Sequence, residues 1–143
     1  MRKRPYGNTN IDLSIIGFGG ILVMDCEPKV ASRIVAESVD LGINYFDVAP
    51  SYGNAEERLG PALEPYRQDV FLACKTGERS RKKAECELMQ SLKNMRTDYF
   101  DLFQLHAMTT KEDVEQATAP DGAISFLLDA KNKGIIRHIG FSA

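Results

Sequence analysis

No CxxC pair, no apolar run of membrane-spanning length and no excess of either charge occur in this sequence. Each absence removes a class of function. Three cysteines (Cys26, Cys74, Cys86) are an odd number, with no histidine nearby at ligand spacing. That argues against a disulfide framework and a zinc site, and for a reducing compartment. A formal charge of −2 and a pI near 5.7 give no reason to expect nucleic acid or an anionic membrane as partner. No stretch approaches the ~18 apolar residues of a spanning helix. Arg2 to Arg4 followed by the apolar run Leu13 to Met24 imitates a secretory signal, but a polar turn parts the two, glycines interrupt the run, and Asp25-Cys26 is no small-residue cleavage site. The expectation is a cytoplasmic protein whose basic clusters, Arg2 to Arg4 and Arg79 to Lys83, are solvated.

What is present is an ordinary globular composition, 43% hydrophobic and 27% charged over 143 residues, one domain's worth of chain. Residues 3 to 13 predict a hairpin around the turn cluster Gly7-Asn8-Thr9-Asn10. Ile15 to Gly19 reads as a first buried strand, followed by a Gly19-Gly20 loop. Pro28 opens a helix whose apolar face is Val30, Ile34, Val35, Ser38, Val39 and Leu41, and Gly42 closes it. Further strands follow at Ile43 to Asp47, Val70 to Lys75, Tyr99 to Leu105 and Ile136 to Phe141. Helices are expected at Ala55 to Leu63, from an N-cap at Ser80 to Met95 (with Ala84, Leu88, Met89, Leu92 and Met95 on one side), and at Ala123 to Lys133 before Gly134. Ala107 to Gly122 reads as irregular or a short helix.

Short apolar strands alternating with helices force a parallel sheet covered on both faces. Either a doubly wound sheet or a (β/α)8 TIM barrel would do. Gly17-Phe18-Gly19-Gly20-Ile21-Leu22 lacks the last glycine of a dinucleotide fingerprint, and no helix is expected to start there. The barrel is therefore favoured.

Strand ends carry the chemistry. Asp47, Lys75 and His106 each end a strand, and Tyr52 lies in the loop five residues after Asp47. Parallel strands bring all these ends to one face, where barrel enzymes act. Taken singly, Asp47 could cap a turn, Lys75 reach water, His106 sit in the core, and Tyr52 be a loop aromatic. Taken together they suit proton transfer. A phenol is a poor acid at neutral pH, a nearby ammonium favours the phenolate, and a carboxylate keeps that ammonium charged. Tyr52 is then a general acid, Lys75 its tuner and Asp47 the anchor. A neutral His106 can hydrogen-bond a substrate carbonyl. The set protonates an oxygen as a carbonyl becomes an alcohol, and requires no metal.

These residues resemble the aldo-keto reductases from Ile15 to the last residue. The likeness rests on Gly17-Phe18-Gly19, Asp47-Val48-Ala49, Tyr52-Gly53-Asn54, Glu56-Glu57-Arg58-Leu59-Gly60, Lys75, Asp101 to His106, and Gly134 to Ser142. It implies a (β/α)8 barrel with an N-terminal hairpin, NADPH as hydride donor, a small aldehyde or ketone substrate, and a tetrad matching Asp47, Tyr52, Lys75 and His106. It further implies cofactor contacts at Gly20, Asp47 and Ser142, the last against the nicotinamide carboxamide. Val48 stands where Thr is common in that family, and Ala143 where many members have an Asn that helps hold the carboxamide.

A (β/α)8 barrel takes about 250 residues, and this chain carries five strands. The expectation is an N-terminal portion of a reductase, residues 1–143 forming a single incomplete domain. Most of the NADPH cradle, the 2′-phosphate site included, would belong to later strands. Open sheet edges predict self-association. The alternative is a catalytically silent barrel fragment or interaction module that retains the tetrad, since the family also resembles channel-associated regulatory subunits.

Overall fold

The computed structural model describes the whole chain, Met1–Ala143. A hairpin comes first: β1 (Lys3–Pro5) pairs antiparallel with β2 (Asp12–Ser14) around a turn in which Gly7 is left-handed, φ +56°. Five parallel strands follow: β3 (Phe18–Gly19), β4 (Tyr45–Asp47), β5 (Phe71–Thr76), β6 (Phe100–Leu105) and β7 (Ile136–Phe141). Helices α1 (Pro28–Asp40), α2 (Ala55–Leu63), α3 (Arg81–Asn94), α4 (Lys111–Thr118) and α5 (Ala123–Asn132) connect them. The strands lie side by side in chain order. A doubly wound sheet needs a point where that order reverses; a sheet wound one way is the beginning of a barrel. No helix is long and apolar enough to cross a membrane.

Alternation along each strand builds two apolar layers. Phe46, Leu72, Cys74 and Phe103 point outward and join Leu59, Leu63, Leu88 and Leu127 of the helices in the main core. Phe71, Ala73 and Leu102 point inward, where Tyr6, Ile11 and Leu13 of the hairpin segment cover them beside Tyr45. Tyr6 stands edge-on to Phe71 (5.2 Å) and His138 (5.4 Å), so the hairpin seals the end of the sheet where its strands begin. β5 is covered on both faces, and all six of its residues are buried.

At that same end Asp101 clamps three strands. One carboxylate oxygen accepts the Leu72 N–H (2.9 Å) and Arg67 Nη1 (3.1 Å), and the other accepts Arg137 Nη1 (2.8 Å). The two guanidiniums flank the Tyr99 ring at 3.9 and 4.2 Å. Asp101 and Arg67 are both buried. A buried ion pair that loses one partner costs about 3–5 kcal/mol, so this cluster fixes the strands' starting ends.

Several expectations change. The first strand keeps only Phe18–Gly19; Ile15 and Ile16 are 52% and 56% exposed, because they sit on the open edge beyond the hairpin. The Gly19-Gly20 loop is instead a single 3-10 turn, Gly20–Val23, too short to act as a dinucleotide-binding helix. On α1 the buried stripe is Ala31, Val35 and Ser38; Val30 lies about 100° round the helix from Ala31, Leu41 falls past the last turn, and both are exposed. On α3, Met89 faces solvent and Ser91 faces the core. Ser80 occupies the N-cap position of α3 but its side chain caps nothing; backbone bonds to the start of α5 (Arg81 N–H to Asp121 O, Ala123 N–H to Arg79 O) hold that end. The segment read as irregular or a short helix contains α4, started by a Thr110–Asp113 capping box.

Gly60 gives a direct test of the packing. A Cβ there would lie 2.3 Å from the Asn94 carbonyl oxygen and 2.6 Å from Met95 Cα, backbone that cannot swing aside. Gly60→Ala is expected to lower stability by about 1–3 kcal/mol in urea unfolding. Gly77→Ala, where a Cβ meets nothing within 4 Å, should stay within about 0.5 kcal/mol of the parent.

Candidate active site

Strand parity brings the predicted residues together. Asp47 is level with Ala73, two residues before Lys75, and Lys75 is level with Gln104, two residues before His106. Steps of two preserve the face, so all three side chains share the inner side at the strands' far ends. Leu105 is level with Phe141, which sets Ser142 beside His106.

The contacts form a continuous chain. The Lys75 ammonium bonds Asp47 Oδ2 and lies 3.5 Å from the Val48 carbonyl. Lys75 is 7% exposed and Asp47 24%, so the ion pair is largely withdrawn from water. Lys75 Nζ is 5.3 Å from the centroid of the Tyr52 ring. That ring stands edge-on to His106, with centroids 6.3 Å apart at 86°. His106 Nδ1 is 2.9 Å from the Ser142 hydroxyl.

Local structure explains how Tyr52 is held. Its N–H bonds the Ala49 carbonyl, and its own carbonyl accepts the Ala55 N–H, both at 3.0 Å. Gly53 is left-handed (φ +56°), and a Cβ there would touch Met24 at 3.1 Å. Asn54 accepts the Asp25 N–H at 2.8 Å. Glu56 is buried on α2 and receives Asn94 Nδ2 at 2.9 Å, while Arg58 Nε donates to the Cys26 carbonyl at 2.8 Å. The segment after Tyr52 is thus scaffolding that fixes the loop from behind.

A second phenol, Tyr45, lies two residues before Asp47 on the same face. Burial, then the Asp47 charge and then Tyr6 push its pKa up to about 12, so it stays protonated through neutral pH.

Of the residues the resemblance linked to a cofactor, Asp47 carries a buried Oδ1 with no hydrogen-bond partner. Such an oxygen calls for a donor, and a sugar hydroxyl meets that demand. Gly20 is buried against the same strand: a Cβ would meet Val48 Cγ2 at 2.9 Å and the Asp47 carbonyl at 3.0 Å. Its side-chain-free surface is required first by the protein itself. Asp47 Oδ1 is thus the one atom of this set with an unmet demand for a donor.

Arg79 corrects the picture of a solvated basic cluster. Its side chain is 12% exposed and donates to the carbonyls of His106 (2.7 Å), Ala107 (3.1 Å) and Gly77 (3.0 Å) and to Asp113 Oδ1 (2.8 Å). It ties the loop after β5 to the loop after β6, and so holds His106 in place. Thr110 and Asp113 lie at capping-box spacing, a readable signal for α4; nothing in the sequence singled out Arg79.

Comparison with known proteins follows the same line. The family model described as "Aldo/keto reductase family" matches residues 16–143. The uncharacterized oxidoreductase YqkF of Bacillus subtilis is 33% identical over 100% of this chain and 49% of its own length. A putative aldo-keto reductase from Pseudomonas aeruginosa superposes with a TM-score of 0.87 at 30% identity, over 99% of this chain and 59% of that one. The holo form of aldo-keto reductase AKR11C1 from Bacillus halodurans gives a TM-score of 0.85 at 33% identity, over 99% and 50%. The chain spans about half the length of the curated relatives it matches.

The Arg79 clamp has a pH signature. Hydrogen bonds from Thr110, then Arg79, pull the Asp113 pKa from 3.8 to about 2. A lowered folded-state value contributes stability that is present above about pH 4 and lost as pH falls toward 2. Urea midpoints of the parent and Asp113→Asn should differ at about pH 6 and converge over that acid window.

Proposed function

This chain belongs to the aldo/keto reductase family, and from that premise we propose that it carries the proton-transfer centre of NADPH-dependent aldehyde or ketone reduction. One observation carries the reading: an acid, an amine, a phenol and an imidazole lie in unbroken succession on one face at the strands' ends. The hydride for the carbonyl carbon would come from NADPH when it is bound. Tyr52 gives its hydroxyl proton to the carbonyl oxygen as that oxygen gains charge. The Lys75 ammonium stabilises the phenolate that remains, and Asp47 keeps the ammonium charged and oriented. His106 donates a hydrogen bond to the carbonyl oxygen and fixes its approach to Tyr52. Asp47 Oδ1, Gly20 and Ser142 border the nicotinamide end. The substrate is a small carbonyl compound, and a cytoplasmic setting suits the three free cysteines.

Residues 1–143 are read as the N-terminal portion of such a barrel. Phe141 at one open edge is 70% exposed, and Ile15 and Ile16 lie open at the other. Apolar edges of that kind favour self-association of the chain. Light scattering is expected to show a species larger than a monomer; a monodisperse monomer would count against this part of the reading.

The half-length match to relatives favours one alternative, a catalytically silent module that keeps the tetrad by descent. A titration of NADPH against protein fluorescence, followed by an aromatic-aldehyde assay, separates the two. In the enzyme reading NADPH binds, and Tyr52→Phe lowers turnover by at least about 100-fold with binding unchanged. Absence of NADPH binding selects the silent reading for this chain.

A further inference from the structure

We infer that Arg79 is a built-in cation for the backbone beside His106: it holds Ala107 in a left-handed conformation, and through it the direction of the imidazole. The bearing on catalysis rests on the reading of His106 as donor to a substrate carbonyl. Ala107 has φ +53°, a region that costs a residue with a Cβ and that alanine, with no polar side chain to bond locally, rarely adopts. It directly follows His106 and is exposed, so packing does not force that conformation on it. The cause lies in its hydrogen bonds.

Peptide planes are rigid, so φ and ψ of Ala107 alone decide how the carbonyls of His106 and Ala107 lie relative to each other. In an extended chain they would point to opposite sides. Here both accept from one nitrogen, Arg79 Nη2, at 2.7 and 3.1 Å. Nη1 donates to the Gly77 carbonyl at 3.0 Å and Nε to Asp113 Oδ1 at 2.8 Å, so the whole fork is engaged. The His106 carbonyl has no other protein partner. Convergence on a buried guanidinium offsets the cost of the left-handed turn.

The same peptide plane reaches the ring. Its N–H, on Ala107, donates to Ser142 Oγ at 3.1 Å, and that hydroxyl is 2.9 Å from His106 Nδ1. Arg79 is therefore a positioning residue, acting on the imidazole through one plane. The flanking backbone is held without it: the His106 N–H bonds the Thr76 carbonyl (2.8 Å), the Ser142 N–H the Leu105 carbonyl (2.9 Å), and the Met108 N–H the Ser142 carbonyl (2.7 Å). Loss of the guanidinium should free the plane and the ring, and leave the strand ends in place. Lysine is no substitute, because its ammonium is a single point and these acceptors surround a planar fork.

NMR of the full chain tests this, because the Ala107 Cα and Cβ shifts report its φ. The parent should carry the left-handed signature. Arg79→Ala and Arg79→Lys should both lose it, with the His106 ring signals displaced. The ring signals of His138, beside Tyr6 at the opposite end of the sheet, and the slow exchange of the Met108 and Ser142 amides should stay as in the parent. A lysine variant with Ala107 still left-handed and the His106 ring unmoved would overturn the inference. So would loss of the Met108 and Ser142 protection in that variant, which would mark Arg79 as a general support of the fold. Should the alanine variant not fold, the lysine variant decides. Neither NADPH nor turnover enters the measurement, so the reductase reading and this one can fail separately.

Discussion

An ammonium withdrawn from water needs a counter-charge, and in this molecule Lys75 finds it in Asp47. Much of the rim follows from that pairing. The two residues come from neighbouring strands, so their contact presupposes the parallel register of β4 and β5. Their charges cancel beside an apolar interior sealed below by the hairpin. Tyr52 is brought to the same ammonium by a loop whose geometry depends on Gly53 and Asn54.

The residues behind the family likeness divide by what they touch. Asp101, Glu56 and Gly60 meet strands and helices: Asp101 joins three strand starts, Glu56 takes a bond from Asn94, and Gly60 lets α2 lie on the end of α3. Asp47, Tyr52, Lys75, His106 and Ser142 meet one another across the rim. The first group lies at or behind the sheet's foundation, the second at its mouth.

Much of this was legible in the sequence because it is local. Gly42 and Gly134 end helices with left-handed φ values of +88° and +75°, as their positions implied. The strands from Tyr45 onward fall inside the predicted runs, give or take a residue. What escaped notice depends on distant partners. Arg79 has the composition of a solvated cluster, yet it is drawn inward by carbonyls 27 and 28 residues away and by Asp113, 34 residues away. Ile15 and Ile16 read as buried strand because they are apolar, but burial needs a neighbour and the sheet ends there. Local pattern told which face was apolar; it could not tell which edge was left uncovered.

The two-residue offset from Asp47 to Lys75 to His106 constrains how such a protein can change in length. Adding or deleting one residue inside β4, β5 or β6 would rotate the group at that strand's end from the interior to the helices, dispersing the cluster without altering any of its members. Paired changes would keep the orientation and merely raise or lower the group along the wall. Length variation in such folds should therefore collect in the loops, and within the strands come only in even numbers.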